Sequence, residues 1–207
     1  MFSNFLIKRF VKDYDNVSDV KVRGAYANLA GIVGIITNLM LFIIKLFVGL
    51  FSNSVSILAD AFNNLSDAAS SIITIVGFKM ANKPADAEHP FGHGRIEYIT
   101  AMIVSFMVML VGLQFVKTSF QKIINPTPVT FELLPFILLL ISIGFKFWLS
   151  KFNKSIGNKI NSSTLKATAT DAMGDVFTST TVVISFLISK FTTLPIDCYI
   201  GIIVALA

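Results

Sequence analysis

Apolar residues along this chain fall in long runs, and the runs are separated by short polar stretches. A bilayer-crossing helix needs roughly 20 mostly apolar residues, and the runs are read against that length. The first is about Asn28 to Leu50, interrupted only by Asn38 and Lys45. The second, about Val55 to Phe78, is less apolar and contains Asp60, Asn63, Asn64 and Asp67. The third is about Tyr98 to Val116, and the fourth about Leu133 to Leu149, with Pro135 near its start and Trp148 near its end. The fifth, about Leu165 to Ile188, carries Asp171 and Asp175. A sixth starts near Leu194 and reaches Ala207. At 1.5 Å per residue these last residues cover about 21 Å of a roughly 30 Å hydrocarbon core. The pattern therefore predicts an all-α membrane protein: a six-transmembrane-helix bundle with its sixth helix truncated. Residues 1–27 form an N-terminal segment and residues 28–207 the transmembrane domain. No tandem repeat is visible, although spans two and five share a polar pattern.

Composition agrees. Of 207 residues, 54% are hydrophobic and only 14% charged, with a mean hydropathy of +0.75. Soluble domains run about 25% charged, so a water-soluble globule is excluded, and so much apolar surface also excludes intrinsic disorder. The single cysteine, Cys198, excludes an intrachain disulfide framework and a cysteine-rich metal site.

The net charge of +5 is dispersed along the chain, which reads as topology information and not as a nucleic-acid footprint. Lys8, Arg9, Lys12, Lys21 and Arg23 precede span one; Lys79, Lys83 and Arg95 follow span two; Lys146, Lys151, Lys154, Lys159 and Lys166 surround the end of span four. The opposite side has only Lys117, Lys122 and Lys190, so thirteen basic residues face three, and Lys45 lies inside span one. That bias places the N-terminus in the cytoplasm of a multi-pass cell-membrane protein. The first 27 residues hold no continuous apolar stretch of the secretory type, so span one itself directs insertion.

Charged groups inside a hydrocarbon core are costly and functional by default. In span two, Asn63 and Asp67 lie one helical turn apart on one face, and Asp60 falls close to the same stripe. In span five, Asp171 and Asp175 repeat the i, i+4 spacing, and Ala172 and Gly174 keep that surface slim for a close helix contact. Two such pairs facing each other supply three carboxylates and one carboxamide around a point. Three carboxylates in a low-dielectric site cannot all stay ionised without a cation. A divalent metal neutralises two of the charges, and protons can substitute when it leaves, which is the minimum physics of metal–proton exchange. A lone Asn or Ser in a membrane helix is more often interhelical glue, and Asn64 and Ser66 take that reading. Asp60, nearer a span end, could snorkel towards the interface. The donor set is hard, suited to Mn, Mg or Ca, whereas Zn favours imidazole and thiolate. No His or Cys lies in spans two or five, so the site leans towards Mn²⁺, with Fe²⁺ or Zn²⁺ as alternatives.

The loop after span two runs from Pro84 to Arg95 and holds both histidines of the chain. Asp86, His89 and His93 are a candidate second metal site of one carboxylate and two imidazoles. Gly92 and Gly94 give that loop its backbone freedom. A loop His pair alone is more often a surface feature.

At these residues the chain resembles the cation diffusion facilitators, a family of dimeric metal/proton antiporters. The resemblance runs from about Ala25 to the end and is carried by Leu58 to Asp67, Pro84 to Arg95, and Asp171 to Asp175. It implies a transport site of Asn63, Asp67, Asp171 and Asp175. Zinc-specific members typically carry a His among these four; the Asn-Asp-Asp-Asp set is similar to the manganese-exporting branch. It further implies a second site at Asp86, His89 and His93, and an accessory basic residue at Arg95 that helps lock a dimer. The family's cytoplasmic C-terminal domain is absent from this sequence, and homodimerisation is implied for the full-length form.

The expected function is export of a divalent cation, Mn²⁺ favoured, by proton antiport and alternating access. No cofactor beyond the transported cation and no nucleic-acid partner is expected; the partners are metal, protons and the bilayer. Two rival readings are an intramembrane aspartyl protease, with Asp67 and Asp175 sharing a proton, and a passive divalent channel lined by the carboxylates. The protease leaves the i, i+4 partners without a role. The channel is opposed by a site that, unless its charges are offset, would hold a metal too tightly for fast flux.

Overall fold

The computed structural model describes residues 2–81, 95–125, 129, 131–192 and 194–206. Among these residues the secondary structure is entirely helical: α1 (Phe2–Phe10), α2 (Val20–Phe51), α3 (Val55–Ala81), α4 (Arg95–Ile124), α5 (Leu133–Lys159), α6 (Ser163–Ile188) and α7 (Ile196–Leu206). Three of them, α2, α5 and α6, are long and apolar enough to cross a membrane. The chain is an all-α membrane protein. Large apolar side chains such as Ile32, Ile36, Phe47, Leu134, Ile141, Phe177 and Ile184 stand exposed on the outer faces of these helices, where lipid would cover them.

The helices start where local chemistry lets them. Asp19 caps α2 by accepting from the Lys21 amide at 2.7 Å, and Ser162 caps α6 by accepting from the Leu165 amide. Pro135 sits in the first turn of α5, where its missing N–H costs nothing. The start of α3 is capped from across the bundle. Asp197 of α7, buried, accepts from the Val55 amide at 2.8 Å and from the Ser54 and Ser56 hydroxyls. These anchored carboxylate contacts satisfy N-terminal donors that have no partner within the helix.

Hydropathy finds some helix ends, Val55 and Leu133 among them, but where an amphipathic turn extends a helix it marks only the apolar middle. Span one begins near Asn28 by hydropathy, yet α2 begins at Val20; span four ends near Leu149, yet α5 continues to Lys159. The added turns are amphipathic. On α5, Phe152, Asn153 and Ile156 are buried while Lys151 and Lys154 are exposed. The amphipathic α1 lies within the segment 1–27. Ile7 and Val11 pack with Tyr26 of α2 and with Leu149, Phe152 and Ile156 of α5. Tyr26 donates to the Tyr14 carbonyl and accepts from the Lys159 ammonium, which ties the connection before α2 to the end of α5.

Two antiparallel hairpins organise the bundle, α2 with α3 and α5 with α6, and α3 also packs on α4 and α7. The α2–α3 turn is tight. Asn53 takes the left-handed conformation, φ 54°, which asparagine tolerates better than most residues. Gly49 lets the α3 side chain of Leu58 pack directly on the α2 backbone. A second apolar cluster holds Val48, Ile57, Leu139, Val182 and Phe186. Along α5, Lys146 lies between the two clusters, and along α6 so do Asp171 and Asp175. The charged residues therefore occupy a polar band between two apolar layers.

Candidate cation site between α3, α5 and α6

The i, i+4 spacing on each helix puts Asn63 and Asp67 on one face of α3, and Asp171 and Asp175 on one face of α6. The structure brings these two faces together. The Asn63 amide nitrogen donates to Asp175 Oδ1 at 2.8 Å. One carboxylate oxygen each from Asp67, Asp171 and Asp175 lies within 4.8 Å of the others. The three differ in access: Asp175 is buried, Asp67 half-buried and Asp171 exposed. They line a cavity of about 270 Å³ together with Asn63, Gly174, Thr178 and Val204. Gly174 serves this cavity and not a helix contact, since a Cβ there would meet nothing within 4 Å. Ala172 is buried against its neighbours, as a close contact requires.

Asn63 reaches the cluster with its amide nitrogen towards Asp175. To offer its carbonyl oxygen to a cation, the amide group has to turn over.

A lysine stands in the middle of this cluster. Lys146 of α5, 1% exposed, places its Nζ 2.8 Å from Asp67 Oδ2 and 2.7 Å from Asp175 Oδ2. Hydropathy assigns Lys146 to the cytoplasmic end of span four and counts it among the topology charges. Its burial removes it from that count, leaving twelve basic residues against three. The sequence signal was available, because the rule that an ionisable residue in a membrane helix is functional by default applies to lysine as it does to aspartate. The same contacts speak against a protease dyad. Such a dyad shares a proton between two carboxylates, whereas Asp67 and Asp175 are each turned to the ammonium.

Asp60 does not snorkel. It is 1% exposed and pairs with Lys45 of α2, itself fully buried, at 2.7 Å. Ser179 of α6 completes this contact, donating to Asp60 Oδ1 at 3.0 Å and accepting from Lys45 at 2.9 Å. Asp60 and Ser179 lie about one turn from Asn63 and Asp175 on their own helices, so a second charged contact is stacked next to the first. Among the described residues Asn64 and Ser66 make no side-chain bond to another helix. Each bonds a carbonyl of its own helix four residues back, Asn64 to Asp60 and Ser66 to Phe62. Arg95 begins α4. Asp86, His89 and His93 lie outside the described residues.

Residues 31–207 match the family described as the cation efflux transmembrane domain. An uncharacterized transporter of Methanocaldococcus jannaschii is 31% identical over 175 residues, covering 84% of this chain and 62% of its own length. The manganese efflux system protein MneS of Bacillus subtilis is 30% identical, with 84% of this chain and 60% of its own length covered. The magnetosome protein MamM of Paramagnetospirillum magneticum is 30% identical, with 80% and 52% covered. The chain thus spans about three fifths of the length of the curated relatives it matches.

Proposed function

The chain belongs to the cation efflux family, and on that premise we propose that it carries a divalent cation, Mn²⁺ favoured, out of the cytoplasm in exchange for protons. The observation that carries this reading is the convergence of Asp67, Asp171 and Asp175 across α3 and α6, with Asn63 against Asp175. Three carboxylates and a carboxamide form a hard oxygen donor set, which suits Mn²⁺ better than the imidazole- and thiolate-seeking Zn²⁺. The name of the Bacillus subtilis relative, a manganese efflux protein, points the same way.

With the N-terminus in the cytoplasm, α3 runs inward and α6 outward, so Asp171 lies on the cytoplasmic side of Asp175. Its exposure makes it the entry residue. The cation passes from Asp171 to Asp67 and Asp175, and the carboxylates take protons when it leaves. On the far side, the Lys45–Asp60–Ser179 contact closes the path. Release outward requires α3 and α6 to shift against their neighbours, as alternating-access carriers do. Homodimerisation of the full-length form and a second cation site at Asp86, His89 and His93 belong to the same proposal.

The test is metal flux in proteoliposomes with an imposed pH gradient, using the full-length protein. Mn²⁺ flux should follow the gradient, collapse when the gradient is dissipated, and vanish in Asp175→Ala. Flux indifferent to the gradient would favour a channel. Zn²⁺ flux without Mn²⁺ flux would overturn the hard-ligand argument.

A further inference from the structure

The candidate site already contains a cation. Lys146 extends from α5 and holds its ammonium against Asp67 Oδ2 and Asp175 Oδ2, at 2.8 and 2.7 Å. Its side chain is almost completely enclosed, so bulk water does not screen the charge. The two oxygens it binds belong to two of the three carboxylates that would ligate a metal. A divalent ion held by those oxygens would sit within a few ångströms of the ammonium, and two positive centres so close in a partly buried site repel strongly.

We infer that Lys146 is a tethered cation that occupies the transport site when the metal is absent and is displaced when the metal binds. This rests on the reading of Asp67, Asp171 and Asp175 as the metal site.

Three consequences follow. In the metal-free carrier, the ammonium neutralises part of the charge of the three carboxylates and links α5 to α3 and α6, which holds the three helices together around the empty site. A monovalent ion brings no more charge than the ammonium it would displace, so only a divalent ion gains by the exchange; the lysine thereby discriminates by charge. Displacement also frees α5 from α3, coupling occupancy of the site to a helix contact. Lysine fits this task better than arginine, because its compact head on a flexible stem swings away without a planar fork to unpair.

The experiment measures Mn²⁺ affinity and apparent Tm of the full-length protein in detergent, at fixed pH, for wild type, Lys146→Met, Lys146→Gln and Asp175→Asn. Lys146→Gln retains hydrogen-bond donors for the carboxylates and guards against a Met variant that fails to fold. Either neutral variant should bind Mn²⁺ at least tenfold more tightly than wild type. Without metal it should melt below wild type, and saturating Mn²⁺ should close that gap. A lysine with a purely structural role would leave the gap open. Equal or weaker Mn²⁺ binding by both neutral variants, with binding lost in Asp175→Asn, would overturn the displacement and leave the site reading intact. Mn²⁺ binding that survives Asp175→Asn unchanged would overturn the site reading and the inference with it.

Discussion

Removing Asp60 should unfold this protein more readily than removing any single surface charge. Lys45 is fully buried, its ammonium is paired with Asp60 at 2.7 Å, and it also donates to the Ser179 hydroxyl at 2.9 Å. In Asp60→Ala the ammonium keeps its burial and loses its counter-charge, and breaking a buried pair from one side costs about 3–5 kcal/mol. For a chain of this size each kcal/mol moves Tm by about 2–4 °C, so the variant should melt about 6–20 °C lower. The double variant Lys45→Met/Asp60→Leu removes both charges and fills the space with apolar atoms, which is often neutral or stabilising. It should recover most of the loss. The assay is thermal melting in detergent, followed through the single tryptophan, Trp148, which stacks on Phe152. If Asp60→Ala melts within about 3 °C of wild type, water reaches the pair and the burial argument is wrong. If the double variant melts no higher than the single, the loss is one of packing and not of an uncompensated charge.

Three further outcomes follow from the geometry. A Cβ at Gly49 would sit 2.8 Å from Leu58 Cδ2 and 3.1 Å from the Leu58 backbone nitrogen, and the backbone atom cannot yield, so Gly49→Ala should cost about 1–3 kcal/mol, visible in the same melt. Asp197→Ala removes the acceptor for the Val55 amide and two serine hydroxyls; a lost cap costs about 0.5–2 kcal/mol, and hydrogen exchange should rise in the first turn of α3 specifically. Asn63→His places a softer donor beside Asp175 and should shift the Mn²⁺ to Zn²⁺ flux ratio towards Zn²⁺; an unchanged ratio would place Asn63 outside the cation's coordination shell.

The convergence of the four candidate residues on α3 and α6 was legible because each pair depends only on helical periodicity. Asn63 with Asp67, and Asp171 with Asp175, share a face in any α-helix, and antiparallel packing then sets Asn63 opposite Asp175. The start of α3 at Val55 and the end of α6 at Ile188 were equally plain, because a serine-rich turn and the polar Ser189–Lys190 step interrupt the apolar run there. Lys146 was hidden by its neighbours. Lys151 and Lys154 follow it closely, and hydropathy averages the three into one cytoplasmic flank. Asp60 was misplaced for a different reason. Its partner, Lys45, is on another helix, and which turn of α2 faces which turn of α3 is decided by the tight Ser52–Ser54 connection and the close approach at Gly49. Asp197 was invisible as a cap because it is supplied by α7, more than 140 residues away in sequence from the helix it caps.

The central claim is that a divalent cation binds among Asp67, Asp171 and Asp175 and that Lys146 gives way to it. Anomalous scattering from crystals of the full-length protein grown with Mn²⁺ tests this most directly. The expected result is a peak bonded to these carboxylates at about 2.0–2.6 Å, the usual span for hard cations with oxygen ligands, with the Lys146 ammonium withdrawn from Asp67 and Asp175. Mn²⁺ bound elsewhere with this cluster empty, or bound here with both Lys146 contacts intact, would contradict it.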